Sequence, residues 1–154
     1  MLGNPVSRVD PNGLDAIFVN YVGYQVAVTN NISIPAGHAG VIAVDPANGS
    51  TAYYDFGRYG GQYGDVRGPY DVGRVIFDKD GNPTRESINK VTRNASNAFG
   101  KGNWPYSEYT KKPYKDVVDY ANMRREQAKG GTRPYNFLVD NCKNFGREAA
   151  GADK

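Results

Sequence analysis

The chain has 154 residues, enough for one domain with a real core, and its 39% hydrophobic and 23% charged residues are ordinary for a globular protein. No apolar run is long enough to span a bilayer, and residues 1–13 are polar and rich in proline and glycine. Neither stable membrane insertion nor a secretory signal peptide is therefore expected. A net charge of +3 favours an anionic partner without choosing among cell-wall polymer, nucleic acid and membrane surface. The single cysteine excludes an internal disulfide. With one histidine and no Cys-x-x-Cys or paired-histidine spacing, neither a metal nor any other cofactor is expected.

In chain order, residues 1–14 carry turn chemistry throughout (Asn4-Pro5, Asp10-Pro11, Asn12-Gly13) and read as an extended leader. Residues 17–28 are β-branched and aromatic, the pattern of a strand kinked at Gly23. Residues 37–44 (GHAGVIAV) form a nearly continuous apolar run, as in a strand covered on both faces. A strand over residues 50–57 follows, and Asn48-Gly49 between the two runs predicts a hairpin. The Gly/Tyr-rich stretch 58–70 reads as a mobile surface loop, and 72–78 (VGRVIFD) as another strand. Thr84 can cap a helix reaching Phe99, with Ile88, Val91 and Ala95 on one face. Pro113 can open a second helix that Gly130-Gly131 stops. A short apolar run at 135–139 precedes a last helix that opens at Asn141-Cys142 and ends near Gly151. Strands followed by helices give an α+β class.

Chemistry concentrates on two residues. Asp140 or Asn141 is a good N-cap, which places Cys142 in the first turn of a helix, where free backbone amides and the helix dipole stabilise a thiolate. The same amides could form an oxyanion hole. His38 lies on a rigid strand between Gly37 and Ala39, where small neighbours leave room for a substrate. Alone, a cysteine in a small domain is commonly apolar filler and a histidine commonly structural. Together they match a thiol nucleophile and its general base.

The base needs a partner for its second ring nitrogen. A hairpin turning on Asn48-Gly49 sets Ile42 opposite Asp55, Gly40 opposite Gly57 and His38 opposite Tyr59. His38 and Asp55 then share a face two pairs apart, and meet only if the strands twist or the register slips by two. Tyr53 and Tyr59 lie on the same face and compete for the place. Asp55 is favoured because a carboxylate best stabilises an imidazolium. Tyr53, Tyr59 and Asn141 are then expected to face the substrate.

Two short motifs extend this reading. Gly37-His38-Ala39-Gly40-Val41, followed far downstream by Asn141-Cys142-Lys143-Asn144-Phe145, resembles the circularly permuted branch of the NlpC-type, papain-like superfamily, which includes lecithin:retinol acyltransferase-like proteins. The resemblance covers roughly residues 34–150. It implies an antiparallel sheet packed against helices, and cleavage or transfer at an amide or ester through an acyl-cysteine. It also implies a third catalytic residue on the strand after the histidine, which fits Asp55 or Tyr53. At the other end, Asp10-Pro11-Asn12-Gly13-Leu14 with the upstream Asn4-Pro5 resembles the motif that closes an Rhs repeat core before a variable toxin.

Together these resemblances imply a leader over residues 1–14 and a cysteine hydrolase toxin over 15–154. Such a toxin would be delivered by a type VI secretion apparatus from a parent Rhs cage, made without a signal peptide, and opposed by a cognate immunity protein. Its expected substrate is the peptide part of peptidoglycan in the periplasm of a target bacterium. Alternatives on the same fold are lipid acyl hydrolysis or transfer, and a protease or deamidase acting in the cytosol. A nuclease is a further alternative, in which Tyr53, Tyr54, Tyr59 and Tyr63 with Arg58 and Arg67 would stack bases. It lacks a paired-carboxylate metal motif and leaves the Asn-Cys-x-x-Phe element unexplained, so no nucleic-acid partner is expected.

Overall fold

The computed structural model describes residues 15–60, 62–136 and 140–152. The leader motif and part of the 135–139 apolar run lie outside these residues. Among them the architecture is α+β: a five-stranded antiparallel sheet carrying helices on both faces, beside a small two-stranded sheet.

The sheet order is β6-β5-β4-β1-β7. At its centre, β4 (His38–Val44) and β5 (Thr51–Gly57) are buried along their whole length, and β1 (Ala16–Tyr21) nearly so. This is why 37–44 reads as an unbroken apolar run: alternate side chains face two different cores. One core holds Phe18, Val41, Tyr54 and Phe56 against Phe145 and Val117. The other holds Ile17, Val19, Ile42 and Tyr53 against Val91 and Ala95. The first core thus involves α2 (Tyr114–Gly130) and α3 (Cys142–Ala150), the second α1 (Arg85–Phe99).

The helices end where their chemistry directs. The Thr84 side chain accepts from Ser87 N at the start of α1. Gly131 and Gly151 close α2 and α3 in the left-handed conformation, which costs glycine little. Among the described residues no helix is long and apolar enough to cross a membrane.

The strands differ more from expectation. The 17–28 run divides at Gly23 into β1 and β2 (Val26–Thr29), which pairs with β3 (Ile32–Ile34) as a separate hairpin. Much of the presumed loop 58–70 is strand β6 (Asp65–Tyr70), and Gly68 permits its close approach to β5, since a Cβ there would lie 2.2 Å from the Tyr53 carbonyl oxygen. Residues 72–78 are not a strand. They make only isolated bridges, and Val72 and Val75 are both buried at a spacing of three, where a strand needs two. Finally, β7 (Pro105–Thr110) is a sheet-edge strand that begins with proline. It is too polar and exposed to show apolar alternation.

The β4–β5 hairpin decides the site. Its loop spans Pro46 to Gly49 and is closed by Asp45 N donating to Ser50 O (2.9 Å), with Gly49 N donating to Asp45 O (2.7 Å). The register is therefore Gly40↔Asp55 and Ile42↔Tyr53, two residues from that of a tight Asn48-Gly49 turn. A slip of two keeps every side chain on its face and brings Asp55 one pair closer to His38.

Candidate active site

His38 opens β4, and Asp55 lies diagonally across on β5, opposite Gly40. His38 Nε2 is 2.8 Å from Asp55 Oδ2, and both side chains are buried. Cys142 is a neighbour of the ring: the two side chains line one small cavity, and the sulfur is among the groups that raise the imidazole's pKa. Cys142 is the first residue of α3, and its side chain is buried beside the ring. The imidazole therefore has the carboxylate on one nitrogen and the cysteine side chain among its neighbours.

Local sequence explains the placement. Asn141 caps α3, its Oδ1 accepting from Lys143 N (3.0 Å) and Asn144 N (3.3 Å), while the Asn144 side chain accepts from Asn141 N. Asn141 rather than Asp140 is thus the cap, and these two amides are engaged by it rather than free to form the suggested oxyanion hole. Asn141 nevertheless borders the small cavity beside Cys142. Gly146 lets α3 approach the sheet: a Cβ there would lie 3.0 Å from Gly40 O. Gly40 in turn leaves room for the Tyr53 ring, since a Cβ on it would lie 2.6 Å from Tyr53 Oη.

Tyr53, expected to face substrate, is instead fully buried and donates to Asp55 Oδ2 at 2.8 Å. Tyr21 donates to the Tyr53 hydroxyl in turn (3.3 Å). Tyr59 does border the groove, with its hydroxyl 3.2 Å from His38 Nε2. Arg67, considered above only as a nucleic-acid contact, clamps Asp55: Nε donates to Oδ1 (2.9 Å) and Nη2 to Oδ2 (2.7 Å). Arg67 and Tyr21 had no assigned place at the site. The available signal was that a carboxylate within a fully apolar strand needs a cation, and Arg67 is the arginine that β6 brings alongside.

Electrostatics follow the contacts. Burial alone would lower the pKa of His38, but the hydrogen bonds to Asp55 and Cys142 prevail and raise it to about 9. Burial would raise that of Asp55, and the hydrogen bonds from Arg67 and His38 hold it below the usual carboxylate value. Desolvation raises the phenols of Tyr21, Tyr53 and Tyr59, so all three stay neutral.

A groove of about 590 Å³ opens at His38, lined also by Tyr24, Val26, Val28, Ile34, Tyr59 and Tyr135. A smaller cavity of about 150 Å³ lies between His38 and Cys142 and shares Val26 and Tyr135 with it. A thiol beside an imidazole held by a carboxylate can pass its proton to the ring, in reach of a solvent-open groove. Among the described residues no cluster of three metal-ligating side chains occurs.

Comparison with known proteins gives this site a setting. No curated protein matches the chain significantly. The crystal structure of the type VI secretion system effector TseH superimposes with a TM-score of 0.73 at 26% sequence identity, over 92% of this chain and 79% of that one. A family model described as type VI secretion system effector TseH-like matches residues 11–153. The chain therefore belongs to the TseH-like family of type VI secretion system effectors.

Proposed function

We propose that this effector is an antibacterial toxin that hydrolyses amide bonds of peptidoglycan peptides through an acyl-cysteine, within a circularly permuted papain-like fold. The observation that carries the reading is His38 held by Asp55, with Cys142 beside it on one small cavity and an open groove at the ring. Its order in the chain, histidine strand before cysteine helix, is that of the permuted NlpC-type proteins. His38 Nδ1 takes the thiol proton, and the thiolate attacks the amide carbonyl to form a C–S bond. His38 then protonates the leaving amine as the C–N bond breaks. A water then gives its proton to His38 as its oxygen bonds to the acyl carbon, the C–S bond breaks to release the acid, and His38 returns the proton to the sulfur. Asp55 fixes the ring and stabilises the imidazolium formed between these steps. Delivery from an Rhs parent, release after the Asp-Pro-x-Gly-Leu leader, action in the periplasm and neutralisation by an immunity protein complete the proposal.

Incubation with purified muropeptides tests it. The intact chain should cut a peptide bond and Cys142→Ala should not; no cleavage, or equal cleavage by both, overturns the reading.

A second reading, lipid acyl hydrolysis or transfer by the same nucleophile, draws on the aliphatic wall of Val26, Val28 and Ile34. Release of fatty acid from phospholipid vesicles, with muropeptides left intact, would select it.

A further inference from the structure

Asp55 has no solvent exposure, and its two oxygens are used unequally. Oδ1 receives Arg67 Nε, whereas Oδ2 receives Arg67 Nη2, His38 Nε2 and Tyr53 Oη, each within 2.8 Å. The Arg67 guanidinium also lies 3.8 Å from the centre of the Tyr59 ring, whose hydroxyl is next to His38 Nε2. Arg67 lies on β6, one strand beyond Asp55, and borders neither the groove nor the cavity at Cys142. Whatever it does for the chemistry, it does through Asp55, its hydrogen-bonded partner, or through the Tyr59 ring.

A buried carboxylate with only imidazolium for a counterion would bind that cation's proton very tightly. An acid–base carrier must instead give the proton up at one step and take one at the next. A second cation on the same carboxylate divides its attraction. Other titratable groups around His38 are Tyr21 of β1, Tyr24 of the following turn, Tyr59, Tyr135 and, from α3, Cys142 and Lys143. Among the described residues none of these is a second carboxylate. Asp55 is therefore the carboxylate that holds the proton, alongside the Cys142 sulfur, and Arg67 is the cation that divides its attraction.

We propose that Arg67 is a positioning residue: it clamps both oxygens of Asp55, points Oδ2 at His38, and shares the carboxylate's charge so that His38 can release its proton. This rests on His38 acting as the proton carrier of Cys142, but not on which substrate is cut.

His38 is the only histidine in the chain, so its imidazole resonances can be titrated by NMR without overlap. The measurement compares the intact chain with Arg67→Met and Arg67→Lys, with the amide spectrum of each confirming the fold. Arg67→Met should titrate about one pH unit higher, a roughly tenfold tighter hold on the proton, and Arg67→Lys should return most of the way to the parent. If Arg67→Met does not fold, Arg67→Gln carries the same expectation. Titration at or below the parent value in the neutral variant, or a lysine variant shifted as far as methionine, overturns the proposal. Muropeptides left uncut by the parent chain would count against the proposed substrate and leave this titration unaffected.

Discussion

Burial and hydrogen bonding pull the His38 imidazole in opposite directions. The first favours the neutral ring; Asp55 and the Cys142 sulfur favour the charged one and prevail, so that it titrates near 9 in the folded chain. An unfolded histidine titrates near 6.5. Because the folded value is the higher, its contribution to stability is complete below about 6.5 and is lost as the pH rises toward about 9. Asp55 has the opposite sign: its folded value is lowered, so its contribution is present above the unfolded carboxylate range and lost in acid. The urea midpoint of the intact chain should therefore fall between pH 6.5 and 9 by more than that of His38→Ala. Parallel declines would show that the imidazole is not held in its charged form by the fold.

At the scale of elements, two close approaches determine whether the reacting groups meet. The four-residue hairpin loop sets the β4–β5 register that places Asp55 opposite Gly40. The absence of a side chain at Gly146 lets α3 settle on β4, with Phe18 on its other flank. Gly146→Ala tests the second contact. The new methyl gains up to about 1 kcal/mol in helix propensity, but it would sit 3.0 Å from Gly40 O and 3.1 Å from the Phe18 ring. Overpacking of this kind costs about 1–3 kcal/mol, so a net loss of about 1 kcal/mol is expected in urea denaturation. The displaced helix should also draw Cys142 away from His38 and slow its alkylation by iodoacetamide at neutral pH. A stabilised variant with unchanged alkylation would mean that the two elements have slack between them.

For the whole molecule, the segment that presents the nucleophile is tied down by charge as well as by packing. Arg124 of α2 is fully buried and donates to both oxygens of Asp140 (3.0 and 2.9 Å), the residue before the α3 cap. Arg133 bridges Asp140 (2.8 Å) to Glu148 of α3 (2.8 Å), which also accepts from Tyr120. Removing one member of a buried pair leaves its partner poorly compensated. Arg124→Met should therefore destabilise the chain by about 3 kcal/mol in denaturant titration. A change within about 0.5 kcal/mol would show that Arg133 alone satisfies Asp140.

The sequence alone determined the α+β class, the three helices with Thr84 capping the first and either Asp140 or Asn141 capping the last, and Cys142 at a helix start. These are local matters: Thr84, Asn141 and Gly131 act on backbone groups a few residues away, and helical periodicity is written in the chain itself. It also identified His38 and Asp55 as side chains on one face, because a strand's two-residue alternation survives a slip of two. Only the tertiary structure decided that they touch, since that depends on a loop whose Asn48-Gly49 step suggested a tighter turn. Tertiary structure likewise turned Tyr53 inward, made a strand of 65–70 and brought Arg67 to Asp55. Those outcomes depend on which strand lies beside which and on charges that must be neutralised when buried, neither of which can be read from neighbours along the chain.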